Sequence, residues 1–153
     1  MSHDGWVGLH VLGVVLFLGN LIVTAVWKVL ADRTRQVDVI AYAQRLVAVT
    51  DIAFTAPGAI LIAVSGGVLA GDVGGVTGPG WLTTGVILFA LSGVIWLTIL
   101  VPTQVRQTRL ARRFRHEARV PDQYWRLALL WYMFGSIATV LPLANVFIMT
   151  VRP

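Results

Sequence analysis

The sequence predicts an all-α polytopic membrane protein, with four transmembrane helices in an up-down-up-down bundle and both termini on the outer, periplasmic side. Its composition is the first reason: 57% of the 153 residues are hydrophobic and only 12% are charged, whereas soluble domains carry about 25% charged residues. The second reason is four apolar stretches that can each cross a hydrocarbon core of about 30 Å. The third is the placement of the basic residues. These observations exclude an ordinary soluble enzyme.

We expect a single transmembrane domain over residues 1–153, with helices at about 6–29, 44–70, 81–105 and 124–150. Helices are the open-chain solution in lipid, because each backbone N–H and C=O group must find a partner within its own segment. The chain contains no cysteine, which excludes disulfides and thiolate metal ligands.

The first apolar stretch follows the short segment from Met1 to Gly5, which has no basic residue. A signal peptide would begin with a positively charged region and have a shorter apolar run. The stretch therefore predicts an uncleaved transmembrane helix. Its strongly polar residues are His10 and Asn20.

The second stretch contains Asp51 and the pair Pro57-Gly58. Proline removes a backbone donor and clashes with the carbonyl four residues earlier, so Pro57 is expected to bend this helix. Beyond it, small residues recur at intervals of four and form a stripe that allows close approach of a neighbouring helix. This stripe consists of Ala59, Ala63, Gly67 and Gly71.

The third helix is expected to continue past the membrane as a basic arm from Thr103 to Val120, with apolar side chains such as Phe114 lying on the bilayer surface. The fourth helix contains Asn145 and Met149 near its predicted outer end.

The basic residues predict the orientation. Of the 12 Lys and Arg residues, all but Arg152 belong to two connectors, residues 28–45 and residues 104–126. Cytoplasmic connectors carry an excess of Lys and Arg, so both connectors should face the cytoplasm of a multi-pass protein of the bacterial inner membrane. Lys28 is counted in the first connector. The same distribution suits anionic headgroups, and no nucleic-acid partner is expected.

Polar groups inside lipid are costly and mark candidate functional sites. At about 1.5 Å per residue, His10 and Asn145 are at similar depths near the outer face. Asn20 and Asp51 form a second, inner layer. Asp51 can accept hydrogen bonds from helix neighbours such as Asn20 or Thr55, extend toward the basic connector, or take part in proton transfer.

His10 has three interpretations. Its imidazole can ligate a haem iron or another metal, transfer a proton, or form a hydrogen bond with a fourth-helix group such as Asn145. His3 and His116 lie outside the predicted membrane core. A second axial ligand would therefore be Met149, His10 of another copy, or absent.

Two resemblances rest on short motifs. Leu9-His10 followed by Phe17-Leu18-Gly19-Asn20 resembles the first helix of CopD-type copper-resistance proteins and HemJ-type protoporphyrinogen oxidases, in which tryptophan takes the place of Phe17. A closer resemblance, over nearly the whole chain, is to an uncharacterised bacterial family of four-helix predicted integral membrane proteins. It is carried by Arg45 to Asp51, Pro57-Gly58, Ser65-Gly66 and the end from Met149 to Pro153.

The HemJ-type resemblance implies that His10 binds b-type haem. The first expected function is therefore binding of b-type haem or a porphyrin for electron transfer or tetrapyrrole redox chemistry, with Asn145 and Met149 near the cofactor. The alternative is a non-catalytic membrane subunit that packs through the stripe of small residues into a homo-oligomer or a larger membrane complex. Whether the protein is an enzyme stays open.

Overall fold

A computed structural model describes residues 1–114 and 119–152. These residues form four long helices, which we call α1 (His3–Thr34), α2 (Val37–Gly71), α3 (Gly80–Phe114) and α4 (Asp122–Val151). Each helix is long and apolar enough to cross a membrane. The all-α fold with four transmembrane helices is thus as the sequence predicts.

Successive helices run in opposite directions. At one end, which we call the loop end, His3 hydrogen bonds with Asp72 (Nδ1 to Oδ2, 2.8 Å), and the guanidinium of Arg152 lies 5.3 Å from the ring centre of Trp81. Both termini therefore share this end with the α2–α3 loop. The opposite end, called the basic end, holds the α1–α2 turn, the end of α3 and the start of α4.

The helices extend further toward the basic end than the expected ranges, in which α1 ended near residue 29 and α2 began near residue 44. Only Arg35 and Gln36 separate α1 from α2. Arg35 adopts a left-handed conformation with φ of 56°, and its N–H donates to the carbonyl of Asp32. Because Arg35 alone ends α1, the turn between α1 and α2 is much shorter than the expected connector of residues 28–45.

The end of α3 is packed into the bundle, which corrects the expectation of an arm lying on the bilayer. Phe114 is 1% exposed and packs in an apolar cluster with Ile40 and Tyr124. Tyr124 meets the Phe114 ring edge to face, with the ring centres 5.5 Å apart. Burying this aromatic side chain inside the protein removes it from the bilayer surface. Arg115 and His116 of the expected arm lie outside the described residues.

A close approach of two backbones joins α1 to α2. A β-carbon at Gly58 would lie 2.7 Å from the backbone nitrogen of Phe17 and 2.9 Å from the carbonyl oxygen of Gly13. Only glycine fits such a contact. The face of α2 that meets α1 is therefore the face of Gly58 and Ser65, both of which are buried.

Two π-helical turns interrupt the regular helices, Asp51–Thr55 in α2 and Trp96–Leu100 in α3. Each is followed two residues later by a proline, Pro57 and Pro102 respectively. A proline clashes with the preceding turn and leaves a carbonyl without its donor, and π turns relieve this in membrane helices. Pro142 of α4 has no such turn.

Candidate functional site

His10 contacts α2 near the loop end of the bundle. Its Nδ1 lies 3.1 Å from Oγ of Ser65. The Ser65 hydroxyl donates its proton to the carbonyl of Leu61, so Oγ can only accept from His10. Nδ1 therefore carries the imidazole proton, and Nε2 keeps a free lone pair.

The surroundings fix the orientation of this ring. Gly66 lies beside it, where a β-carbon would be 3.1 Å from Cε1 of His10. A larger residue would press on the imidazole. The imidazole is half-buried, and the ring also hydrogen bonds with the backbone of Ile62 on α2.

The structure places Asn145 and Met149 at a different helix contact. Both lie against Gly85 of α3, where a β-carbon would be 2.6 Å from Oδ1 of Asn145. That Oδ1 is buried without a hydrogen-bond partner among the described residues. His10 hydrogen bonds with α2 rather than with Asn145, because depth along a helix does not determine the direction in which a side chain points.

Asp51 is the centre of a buried polar network. Its Oδ1 accepts from Nδ2 of Asn20 at 3.0 Å and from Oγ1 of Thr55 at 2.9 Å. Oδ2 accepts from Nε2 of Gln104 at 2.8 Å. Asn20 also donates to Thr55 at 2.8 Å. Three helices thus contribute donors to one carboxylate that is 6% exposed.

The sequence did not single out Gln104 as a member of the Asp51 network. Asn20 and Asp51 were expected at the same depth, and they meet. Gln104 was assigned to the connector after α3, although it lies inside the bundle and is 7% exposed. The signal in the sequence that could have placed Gln104 inside the bundle was its position, as an uncharged residue, at the end of an apolar run.

A second buried network surrounds Lys28, which was expected in a connector but lies within α1 and is 1% exposed. Its Nζ donates to Oδ2 of Asp32 at 3.2 Å, to Oε1 of Gln44 at 3.1 Å and to the hydroxyl of Tyr124 at 2.8 Å. Asp32 also accepts from the hydroxyls of Tyr124 and Tyr132, at 2.7 and 2.5 Å. The spacing of Lys28 and Asp32, one helical turn apart, was the signal in the sequence.

The stripe of small residues on α2 faces mostly away from α1. Ala63, Gly67 and Gly71 are exposed and Ala59 is half-buried. A β-carbon at Gly67 or Gly71 would meet no atom within 4 Å. The tight α1–α2 contact uses Gly58 and Gly13 instead.

Within residues 1–114 and 119–152, no group of three or more His, Asp or Glu side chains could hold a metal ion. A metal or haem bound by one histidine remains compatible with this finding, because haem iron can be held through one protein ligand.

Comparison with known proteins identifies a family. The family profile described as "Predicted integral membrane protein (DUF2269)" matches residues 7–153. No curated protein and no solved structure was found to match the chain.

Proposed function

We propose that this chain, which belongs to the DUF2269 family of predicted integral membrane proteins, binds a b-type haem through Nε2 of His10. The site lies near the loop end of the bundle, which the basic residues predict to be the outer side. Resemblance of the Leu9-His10 segment to the HemJ-type first helix points to the same cofactor.

The observation that carries this proposal is the hydrogen-bond relay from His10 to Ser65 to the carbonyl of Leu61. Histidines that bind a metal commonly donate their other ring N–H to a fixed acceptor, which sets the tautomer and orients the ring. The relay leaves the lone pair on Nε2, the atom that would coordinate iron. Nε2 of His10 therefore fits one axial position of a haem iron.

A bound haem supplies one-electron redox chemistry at its iron. Ser65 accepts the hydrogen bond from Nδ1 of His10, which raises the basicity of Nε2 as a ligand. Gly66 leaves room for the imidazole ring beside α2. Asn145 and Met149 contact α3 at Gly85, so the iron ligand that we propose from residues 1–114 and 119–152 is His10.

The test is the absorption spectrum of protein expressed with ample haem and purified in mild detergent, first air-oxidised and then reduced with dithionite. We expect a Soret band, with α and β bands that sharpen on reduction. His10→Ala should remove them. Ser65→Ala should weaken haem affinity by about 10- to 100-fold in a haem titration, the usual effect of losing such a partner.

His3→Ala is the matched control, because His3 is an exposed histidine that contacts the α2–α3 loop through Asp72. It should retain haem fully. Haem retained by His10→Ala, or a featureless spectrum of the unmodified protein, would overturn the proposal.

The second candidate function is that of a membrane subunit that assembles with further copies of itself through α2. It is favoured by the outward direction of the small-residue stripe, because small residues permit close helix contacts in lipid. Gly67→Leu should then lower the oligomeric state measured by light scattering in detergent. Val64→Leu, at another exposed position of α2, is the control and should leave assembly unchanged. Equal mass for Gly67→Leu and the unmodified protein would contradict this candidate.

A further inference from the structure

A groove runs between α1 and α4 from the basic end toward the middle of the bundle. It consists of two cavities, which we call the basic cavity, of about 470 Å³, and the inner cavity, of about 300 Å³. Val29 and Tyr132 line both cavities. The two cavities therefore meet at these residues and form one elongated groove.

The basic cavity has an excess of positive charge. Arg33 and Arg35 line it, and both side chains are exposed. Asp32 also lines it, but its carboxylate already pairs with the buried ammonium of Lys28 and accepts hydrogen bonds from two tyrosine hydroxyls. Within residues 1–114 and 119–152, neither arginine forms a salt bridge. Two guanidinium groups are thus left to pair with an anion.

The position of Arg35 is restricted by the end of α1 and by Trp125. Arg35 is the left-handed residue that ends α1, and its guanidinium lies over the ring of Trp125, 5.1 Å from the ring centre. Trp125 lines the same cavity. A guanidinium that lies on an aromatic face keeps the N–H groups at its edge available, and their fork matches the oxygens of a phosphate. The basic cavity is therefore suited to a phosphate group.

The inner cavity offers an apolar surface at membrane depth. Several hydroxyl groups line it, but each donates to a carbonyl of its own helix; they belong to Thr24, Ser136 and Thr139. Between Leu21 and Val29, which both line the cavity, α1 rises about 12 Å. Val140 lines the cavity from α4 and is exposed, so the groove is open to lipid. An alkyl chain can lie along such a wall.

The charged group on the deep wall of the inner cavity has its partners within the protein. Asp51 accepts hydrogen bonds from Asn20, Thr55 and Gln104 and from the side chain of Trp96. A ligand does not need to bring a cation or a polar group to this wall. The polar part of a ligand is therefore expected at the basic cavity and the apolar part in the inner cavity.

We propose that this groove binds one anionic phospholipid from the leaflet at the basic end. Arg33 and Arg35 hold its phosphate in the basic cavity, and one acyl chain lies along the inner cavity between α1 and α4. A soluble phosphate compound would leave the apolar part of the groove empty, and a lipid without net charge would leave the arginines without a counter-ion. Basic pockets between transmembrane helices are a recognised form of lipid headgroup site. This proposal does not depend on haem binding at His10.

The test is native mass spectrometry of the full chain in mild detergent, titrated separately with phosphatidylglycerol and phosphatidylcholine that carry the same acyl chains. Phosphatidylglycerol should bind more tightly. Arg33→Gln and Arg35→Gln should each weaken its binding by about fivefold, the effect of one basic residue near an anionic headgroup. Neither variant should change the binding of phosphatidylcholine, and the double variant should bind the two lipids equally.

Arg109→Gln is the matched control, because Arg109 is an exposed arginine of α3 toward the basic end that lines neither cavity. It should keep the preference for phosphatidylglycerol. Gly135→Leu tests the apolar part of the groove. Gly135 lines the inner cavity, and the nearest atoms to its β-carbon position are at 3.9 Å, so a leucine side chain fits there and fills the space of the acyl chain. It should weaken the binding of both lipids by the same factor.

Equal affinity of the unmodified protein for the two lipids would overturn the proposal, as would a loss in Arg109→Gln as large as that in Arg33→Gln. Unchanged lipid binding in Gly135→Leu would exclude an acyl chain from the groove. Displacement of phosphatidylglycerol by an equal concentration of glycerol 3-phosphate would indicate a site for soluble phosphate compounds instead. His10→Ala should bind phosphatidylglycerol normally whether or not haem binds at His10, so failure of either proposal can be told from failure of the other.

Discussion

Lys28 shows how a cationic side chain is accommodated inside an apolar bundle. Its ammonium group has three protons, and each is directed to an acceptor: Asp32, Gln44 and Tyr124. Burial of an isolated charge is very costly, but a paired and fully hydrogen-bonded charge is tolerated. The network therefore ties α1, α2 and α4 together at the basic end.

Breaking this ion pair should destabilise the protein strongly. Lys28→Met leaves the Asp32 carboxylate buried without a cation, which typically costs about 3–5 kcal/mol. Lys28→Met combined with Asp32→Asn should recover part of that loss, because no charge is then left unpaired. The measurement is unfolding in detergent by a denaturant titration. A single variant as stable as the unmodified protein, or a double variant no better than Lys28→Met, would contradict this account.

The sequence predicted four polar residues within the bundle, His10, Asn20, Asp51 and Asn145, and partly which ones meet. It assigned Lys28 and Gln104 to connectors, although both are buried in the bundle. Asn20 and Asp51 could be matched because depth along a helix follows from residue number. The partner of His10 was expected on α4, at a residue such as Asn145, whereas the structure places it on α2, at Ser65. The choice depends on the rotation of each helix about its axis. That rotation is set by packing at Gly13 and Gly58.

The contact of α1 with α2 depends on glycine at position 58. In Gly58→Ala the added methyl group would meet the backbone of Phe17 and Gly13 at 2.7 and 2.9 Å. Neither backbone atom can move aside without separating the helices, so we expect a loss of about 1–3 kcal/mol, typical of overpacking.

Gly67→Ala is the matched control on the same helix, because its methyl group would meet nothing within 4 Å. Alanine favours a helix over glycine by about 1 kcal/mol, so this variant should be as stable as the unmodified protein or slightly more so. Melting temperatures in the same detergent measure both effects. A shift of the same sign and size in the two variants would argue against a tight α1–α2 contact.

The four helices could be predicted from their apolar length, but their ends and the π turns could not. The expected ranges ended where apolar residues ended, near residue 29 in α1 and residue 105 in α3. The structure continues both helices. The added turn of α1 carries Asp32, which pairs with Lys28 inside the bundle, and the added turns of α3 end in Phe114, which packs with Ile40 and Tyr124. Pro57 indicated a distortion in α2, yet the same residue type in α4, Pro142, causes no π turn. Local sequence alone therefore did not determine the backbone at these positions.

For the whole molecule, antiparallel packing brings together two polar sites that differ in depth and access. His10 is on the loop-end side, and the hydrogen-bond network of Asp51 is on the basic-end side. The helices between them are apolar, and the aromatic rings of Phe17 and Phe89 meet there with their centres 6.0 Å apart. This arrangement places an apolar layer between the two polar sites of the bundle.

The distribution of basic residues predicts the orientation of the whole molecule, and this prediction can be tested directly with single cysteines, because the chain has none of its own. Single cysteines at Ser2→Cys and Thr77→Cys mark the loop end, and Gln36→Cys marks the basic end; all three positions are exposed. With the basic connectors in the cytoplasm, a membrane-impermeant maleimide added to intact spheroplasts should label the first two variants. It should label Gln36→Cys only after lysis. The reverse pattern would invert the orientation, and labelling of Ser2→Cys and Thr77→Cys from opposite sides would contradict the antiparallel order of α1, α2 and α3.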